Sequence, residues 1–358
     1  MIKLLTVIGA RPQFIKAAMV SRVVHATDGV HEVVVHTGQH FDRNMSDVFF
    51  DELEISRPTY NLCIGGGSHG QNTGRMLESI ERVILDESPT AIVVYGDTDS
   101  TLAGALAAAK LCVPVVHIEA GLRSYNMRMP EEVNRRLTDQ ISSLLLAPND
   151  SAVQILRAEG FSSQSVRNIG DVMFDAALYF GNLAQSRSDI LVRLGLQSRA
   201  YILATVHRQE NTDNRERLLR LVRAFEASSC TIVLPLHPRT RKRLDEFAIL
   251  LPHNVITTEP LGYLDMIMLE KSARLIATDS GGVQKEAYFH GVPCITLRDE
   301  TEWPELVEMR WNRLVSPDSE DLANALAQEY APGVQGSSPY GEGNAASHAV
   351  RAIKLAFA

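Results

Sequence analysis

The chain is predicted to be an α/β protein in which one scheme is used twice. Short runs rich in Val, Ile and Leu alternate with longer stretches of helical period, the pattern of a parallel sheet wrapped by helices. The alternation recurs in both halves of the sequence. The length of 358 residues also exceeds what a single hydrophobic core ordinarily fills, so two domains are expected.

In the first half the expected strands are "KLLTVI", "EVVVHT", "AIVVYG", "VPVVHI" and "SLLLAP". Helices are expected between them, at Pro12 to Ala26, Gly70 to Asp86 and Leu102 to Leu111. In the second half "YILATV", "TIVLPL", "NVITT", "RLIAT" and "PCITL" repeat the scheme. Between the halves, Asp171 to Ser198 reads as helices and turns without a strand, a place for the chain to cross between domains. Near the end "APGVQGSSPYGEGNAA" is loop-like, and "ASHAVRAIKLAFA" is helical with the apolar spacing of a helix that docks on the first domain. The expected domains are residues 1–170 with the returning helix 345–358, and residues 171–344.

A hydrophobic share of 45% and a charged share of 22% are ordinary for a globular protein, without disordered or collagen-like bias. The net charge of −8 argues against a nucleic-acid partner. It leaves room for an anionic substrate, because local cations and helix N-termini make positive pockets inside acidic proteins. Cys63, Cys112, Cys230 and Cys294 are far apart and form no C-x-x-C pair, so they read as reduced thiols acting as small buried hydrophobes, with no metal site signalled. Arg11 and Lys16 interrupt the N-terminal apolar run too early for a signal peptide. No uncharged apolar run reaches the ~18 residues of a membrane span. A cytoplasmic protein without a membrane partner is expected.

The chemistry should lie where strands end, since open α/β sheets bind ligands at the carboxyl ends of their strands. "ATDSGGVQKEA" breaks a strand into Thr278, Asp279, Ser280, Gly281 and Gly282 before a helix. Bare N–H groups at such a helix start welcome an anion. "VIGARPQFIK" places Arg11 and Lys16 at another strand end with Pro12 opening a helix, which suits phosphate; a solvated basic face is the alternative.

"VVYGDTDS" ends a buried strand at Asp97, and "VVHIEAGLRS" ends one with Glu119 and Arg123. Simpler readings are a helix cap for Asp97 and a Glu119–Arg123 pair. In "MPEEVNRR", Glu131 and Arg135 are spaced i,i+4 on one helix face, either as a surface pair or as an acid positioned by a cation, provided burial raises its pKa. "ATVHRQENTDN" carries His207, Arg208, Glu210 and Asn211 after a strand, and "LPLHPRTRKR" brings His237 to another strand end. His207 is then placed to donate a proton to a leaving phosphate. "GGGSHG", Gly65 to Gly70, satisfies the G-x-G-x-x-G dinucleotide pattern, but Asp86 and Glu87 fall at the end of a helix instead of the next strand, so it reads as a flexible loop.

Taken in order, "GARPQFIK", "GDT", "HIEAGLRS", "PEEVNRR", "TVHRQEN", "LHP" and "DSGGVQKEA" resemble the non-hydrolysing UDP-N-acetylglucosamine 2-epimerase family over nearly the whole chain. The resemblance implies the GT-B type of fold, two Rossmann-like domains with parallel sheets facing a central cleft, and a homodimer without NAD, other cofactor or metal. It implies Asp97, Glu119 and Glu131 as acid/base carboxylates assisted by Arg135 and His207. Arg11 and Lys16 are implied near the phosphates and sugar, with Arg208 and His237 also on the substrate. Ser280, Gly281 and Gly282 correspond to the diphosphate turn and Glu286 to a ribose ligand. Gln39, His40 and Gln71 match a second, activating substrate site in some relatives.

The implied activity is interconversion of UDP-N-acetylglucosamine and UDP-N-acetylmannosamine by anti elimination and re-addition of UDP, feeding surface polysaccharide synthesis. Two departures are Lys285, where many members carry an acid, and Trp303 in "RDETEWPE", where the usual pattern has an arginine. With "GARPQFIK" and "HTGQHFD" they resemble a subgroup acting on UDP-2,3-diacetamido-2,3-dideoxyglucuronate. A GT-B glycosyltransferase is the more distant alternative.

Overall fold

The structure, a computed structural model, describes residues 1–39, 57–328, 333 and 338–358. The chain divides into one compact unit of Met1–Ala176 with Ser337–Ala358 and a second of Ala177–Gly336.

The first unit is a parallel sheet of β1 (Ile2–Ile8), β2 (Val30–His36), β3 (Tyr60–Asn61), β4 (Ala91–Tyr95), β5 (Val115–Ile118), β6 (Leu144–Ala147) and β7 (Val166–Asn168). Its spatial order is β3-β2-β1-β4-β5-β6-β7. Connection order reverses beside β1, so the switch point that attracts ligands in Rossmann-like sheets lies between β1 and β4. Every residue of β4 and of β5 is buried, as strands covered on both faces must be. The connecting helices are α1 (Arg11–His25), α2 (His69–Glu87), α3 (Asp99–Lys110), α4 (Pro130–Ile141) and α5 (Asp150–Ala158), and α6 (Val172–Arg187) starts in this unit and runs on into the second. Their starts are chemically marked: Ser68, Thr98 and Asn149 cap α2, α3 and α5 with their side chains. Met76 and Ile80 of α2 pack with Val7 of β1 and Val94 of β4 in the core.

The second unit repeats the plan with β8 (Tyr201–Thr205), β9 (Thr231–Pro235), β10 (Val255–Thr258), β11 (Leu275–Thr278), β12 (Cys294–Thr296) and β13 (Asn312–Leu314). The order is β10-β9-β8-β11-β12-β13, again parallel, with the switch point between β8 and β11. Its helices are α7 (Ile190–Arg193), α8 (Gln209–Thr212), α9 (Arg215–Glu226), α10 (Pro238–Glu246), α11 (Tyr263–Ser272), α12 (Gly281–Phe289), α13 (Pro304–Glu308) and α14 (Leu322–Ala327). Leu221 and Phe225 of α9 cover one sheet face; Leu269 of α11 and Ala287 of α12 cover the other.

The last helix, α15 (Ala345–Phe357), belongs to the first unit. Its first N–H groups, from Ala345 and Ala346, donate to the buried carboxylate of Asp175 at 3.0 and 2.8 Å, while Ala349, Val350 and Ile353 are buried.

Two details depart from the sequence reading. The pattern did not reveal β3, β7 and β13, which are two or three residues long at sheet edges, where polar residues replace the apolar run. Cys294 is buried as expected, but Cys63 and Cys112 are exposed free thiols and Cys230 is half-buried. Among the described residues, no helix is long and apolar enough to cross a membrane.

Candidate functional site

In the second unit, the carboxyl ends of β8 and β11 are tied together by Asp279. This fully buried carboxylate accepts the backbone N–H groups of His207 and Arg208 and the Asn211 side chain, each at 3.0 Å. The loop after β8 is thereby pinned beside the start of α12. Ser280 is the N-cap of α12 in extended conformation and makes no side-chain capping bond; its own N–H donates to Thr278 Oγ1 at 2.9 Å. The first-turn N–H groups on Gly281 and Gly282 thus form a helix N-terminus suited to an anion. A Cβ on Gly282 would lie 4.0 Å from Glu286 Oε2, so the Glu286 carboxylate turns back toward the helix start.

Cations and rings surround this turn. Arg208 lies 3.6 Å from Glu302, which also accepts from Arg298 at 2.7 Å. Against the upward push of burial, Arg298 and Arg208 hold Glu302 below the usual carboxylate range. The Trp303 indole N–H donates to Gly281 O at 2.9 Å, and Lys285 Nζ sits 4.1 Å over the Trp303 ring. The two residues that set this sequence apart are therefore one contact, buried against the first turn of α12. His207 and His237 stack with centroids 5.5 Å apart. Burial lowers the pKa of both; Asp279 opposes the shift at His207, whereas the neighbouring His207 adds to it at His237. His237 Nδ1 accepts the Arg239 N–H at the start of α10, so the neutral ring is the form that caps this helix.

In the first unit, β1, β4 and β5 end side by side. Here a side chain turns back over the helix start: Gln13 Oε1 accepts the N–H groups of Gly9 at 2.8 Å and of the N-cap Ala10 at 3.0 Å, and Pro12 has no N–H to offer. Lys16, one turn into α1, pairs with Glu119 beyond β5, both side chains nearly buried. Asp97, just after β4, pairs with Arg135 of α4, which also reaches Glu132. Two carboxylates, each matched to a cation, thus stand at adjacent strand ends. Glu119 has a left-handed backbone, φ 71°, in a non-glycine residue, a strain that tends to persist at functional sites.

A family profile described as UDP-N-acetylglucosamine 2-epimerase matches residues 22–354 of this sequence. The chain belongs to this family. Within it, the chain is 51% identical over 352 residues to the UDP-2,3-diacetamido-2,3-dideoxy-D-glucuronate 2-epimerase of Pseudomonas aeruginosa, covering 96% of this chain and 97% of that protein. The crystal structure of the Methanocaldococcus jannaschii UDP-GlcNAc 2-epimerase with UDP-GlcNAc and UDP matches with a TM-score of 0.90 at 42% identity, covering 99% of this chain and 100% of that one. The Neisseria meningitidis enzyme bound to UDP-GlcNAc matches with a TM-score of 0.91 at 32% identity, over 99% and 100% of the two chains. The family named from the motifs is the family found, and both units are Rossmann-like, as the GT-B type requires.

The 2-epimerase fold revises several local readings. Thr98 caps α3, leaving Asp97 for Arg135. Arg123 bonds Asp139 and Glu159, while Glu119 takes Lys16. Glu131 is exposed, and the buried acid next to it is Glu132, which accepts the N–H groups of Ser124 and Tyr125. Gln39 accepts from Ser100 N and Oγ, whereas Gln71 caps α2 by accepting Ser68 N–H; His40 lies outside the described residues. In the "GGGSHG" stretch Ser68 starts α2, and Glu87 at its far end accepts from Lys3 and Tyr60. Sequence reasoning assigned nothing to Asp279, Gln13 or Arg298. Asp279 stood inside the quoted "TDSGG", where a strand-end acid before glycines was the available signal.

Proposed function

We propose that the chain inverts C2 of a UDP-2-acetamido sugar by eliminating UDP and adding it back. The observation that carries the reading is the division of chemistry: an anion-ready turn at α12 in one unit and cation-paired carboxylates at strand ends in the other. In the second unit, Ser280, Gly281 and Gly282 hold the diphosphate, Glu286 the ribose hydroxyls, and Arg208, His207 and His237 the departing UDP. In the first, a carboxylate of the set Asp97, Glu119 and Glu131 takes the C2 proton as the C1–O bond breaks, its electron pair leaving with UDP. Arg11, Lys16 and Arg135 balance the charge that develops. UDP then re-adds at C1 of the 2-acetamidoglucal while a proton returns to the opposite face of C2. Atoms and charge balance without an oxidant.

For the sugar, the 51% identity to the Pseudomonas aeruginosa enzyme favours UDP-2,3-diacetamido-2,3-dideoxyglucuronate. UDP-N-acetylglucosamine is the second reading, favoured by the archaeal UDP-N-acetylglucosamine 2-epimerase at 43% identity. Product analysis on both sugars, side by side in D2O, tests the proposal. Deuterium at C2 of the epimer supports it; epimer without label removes the elimination step, and UDP release only on addition of an acceptor identifies a glycosyltransferase.

A further inference from the structure

Beneath the first unit's strand ends lies a buried network to which the proposed reaction assigns no part. His117 on β5 is fully buried, with Nδ1 2.7 Å from Asp139 Oδ1 and Nε2 2.7 Å from the carbonyl oxygen of Gly96. Asp139, on the same helix as Arg135, also receives Arg123 at 2.7 Å and the Gly121 N–H at 3.1 Å. Arg123 continues to Glu159 at 2.7 and 2.8 Å.

We propose that His117 is a positioning residue for the proton-transfer step, donating from both ring nitrogens so that the turns bearing Asp97 and Glu119 are held in place. The inference rests on the reaction proposed above. A carbonyl oxygen only accepts, and so does an ionised carboxylate, so satisfying both neighbours takes an N–H on each ring nitrogen. Arg123 Nη1 and the Gly121 N–H both donate to Asp139 Oδ2, an arrangement that suits an ionised carboxylate accepting from His117 on its other oxygen. The Lys16–Glu119 pair lies against the Gly96 turn: a Cβ on Gly96 would lie 3.1 Å from Glu119 Oε2 and 3.6 Å from Lys16 Nζ.

The network grips the two turns that flank the strained backbone of Glu119. Gly96, Glu119 and Gly121 all have left-handed backbones, φ 60°, 71° and 85°. His117 holds the carbonyl immediately before Asp97, and Asp139 holds the N–H two residues after Glu119. A strained non-glycine turn persists only where its surroundings over-determine it, and here these two bonds add to those that the Glu119 and Ala120 N–H groups make to Leu146 O at 3.0 and 3.1 Å.

The test uses the full chain. In protein carrying 15N-histidine at pH 7, the His117 ring should show two N–H groups; a single N–H overturns the proposal whatever the enzyme's substrate. In turnover of whichever UDP-2-acetamido sugar the wild type epimerises, His117→Asn, too short for Gly96, should lower kcat on the order of 10- to 100-fold. KM and the UDP Kd should change less than twofold, and His117→Gln, which keeps a donor in reach, should recover part of kcat. Unchanged kcat in His117→Asn, or UDP binding lost in step with kcat, overturns the positioning role. A wild type that epimerises neither sugar refutes the proposed reaction, and the ring signal still decides the state of the network.

Discussion

Replacing Gly281 by alanine separates folding from binding. A Cβ there would meet Glu302 Oε2 at 3.6 Å and Arg208 Nη2 and Trp303 Nε1 at 3.8 Å, all ordinary van der Waals distances. The φ of Gly281 is not among the left-handed ones, so the backbone accepts alanine without strain. Alanine in a helix is favoured over glycine by up to about 1 kcal/mol. For a unit of this size that corresponds to about 0 to +4 °C in Tm. The new methyl stands between Glu302 and Arg208, in the space where, in the proposed site, a diphosphate would meet the cation and the α12 N–H groups. Losing one charge-assisted hydrogen bond costs about 1.5–3 kcal/mol, or ~10- to 150-fold in UDP Kd. Differential scanning calorimetry and titration calorimetry with UDP on the full chain measure both quantities. A Tm lowered by several degrees, or a Kd within twofold of wild type, would refute the reasoning. Gly9→Ala is the counter-case: its Cβ would fall 2.0 Å from Thr37 Oγ1 and 2.2 Å from Ser100 Oγ. That overlap should destabilise the chain by about 1–3 kcal/mol or more, seen as a lower Tm.

Glu119→Gln should lower kcat by ~10²- to 10⁴-fold as an acid/base group is lost, with UDP affinity retained; wild-type kcat removes Glu119 from the proposed set. Asp175→Ala should cost about 1–2 kcal/mol by uncapping α15. Hydrogen exchange over residues 345–357 should rise without change in UDP binding, and unchanged protection would show that the apolar face of α15 suffices. His290 is pushed down to about 4 by burial and by the neighbouring Lys271, an effect that Glu270 at 3.9 Å does not offset. Its folded-state pKa is depressed, so the associated stability is present above the ordinary His value near 6.5 and is lost as pH falls toward 4. The loss is about 3 kcal/mol. Unfolding by urea at pH 7 and pH 4.5 should show a smaller pH difference in His290→Leu than in wild type, and equal differences would exclude the residue as the source.

The sequence by itself determined what short-range physics encodes. Apolar runs long enough to be buried on both faces marked the central strands, and Ser280 with two glycines marked the open helix start. The ordered motifs identified the family and named the residues at the strand ends. It did not show edge strands such as β7 and β13, where half-solvated residues leave no apolar run. Pairing across long separations was equally hidden. Arg123 chose Asp139 and Glu159 over nearby Glu119, and Lys16 of α1 took Glu119, because buried charges settle with whichever opposite charge the packed strands bring within reach. Gln13 turned back to the N–H groups of Gly9 and Ala10 at the start of α1, whereas Ser280 makes no side-chain capping bond at α12, although both helices begin after a strand beside glycine. Local sequence made two similar helix starts, and only the tertiary structure decided at which one a side chain turns back as a cap.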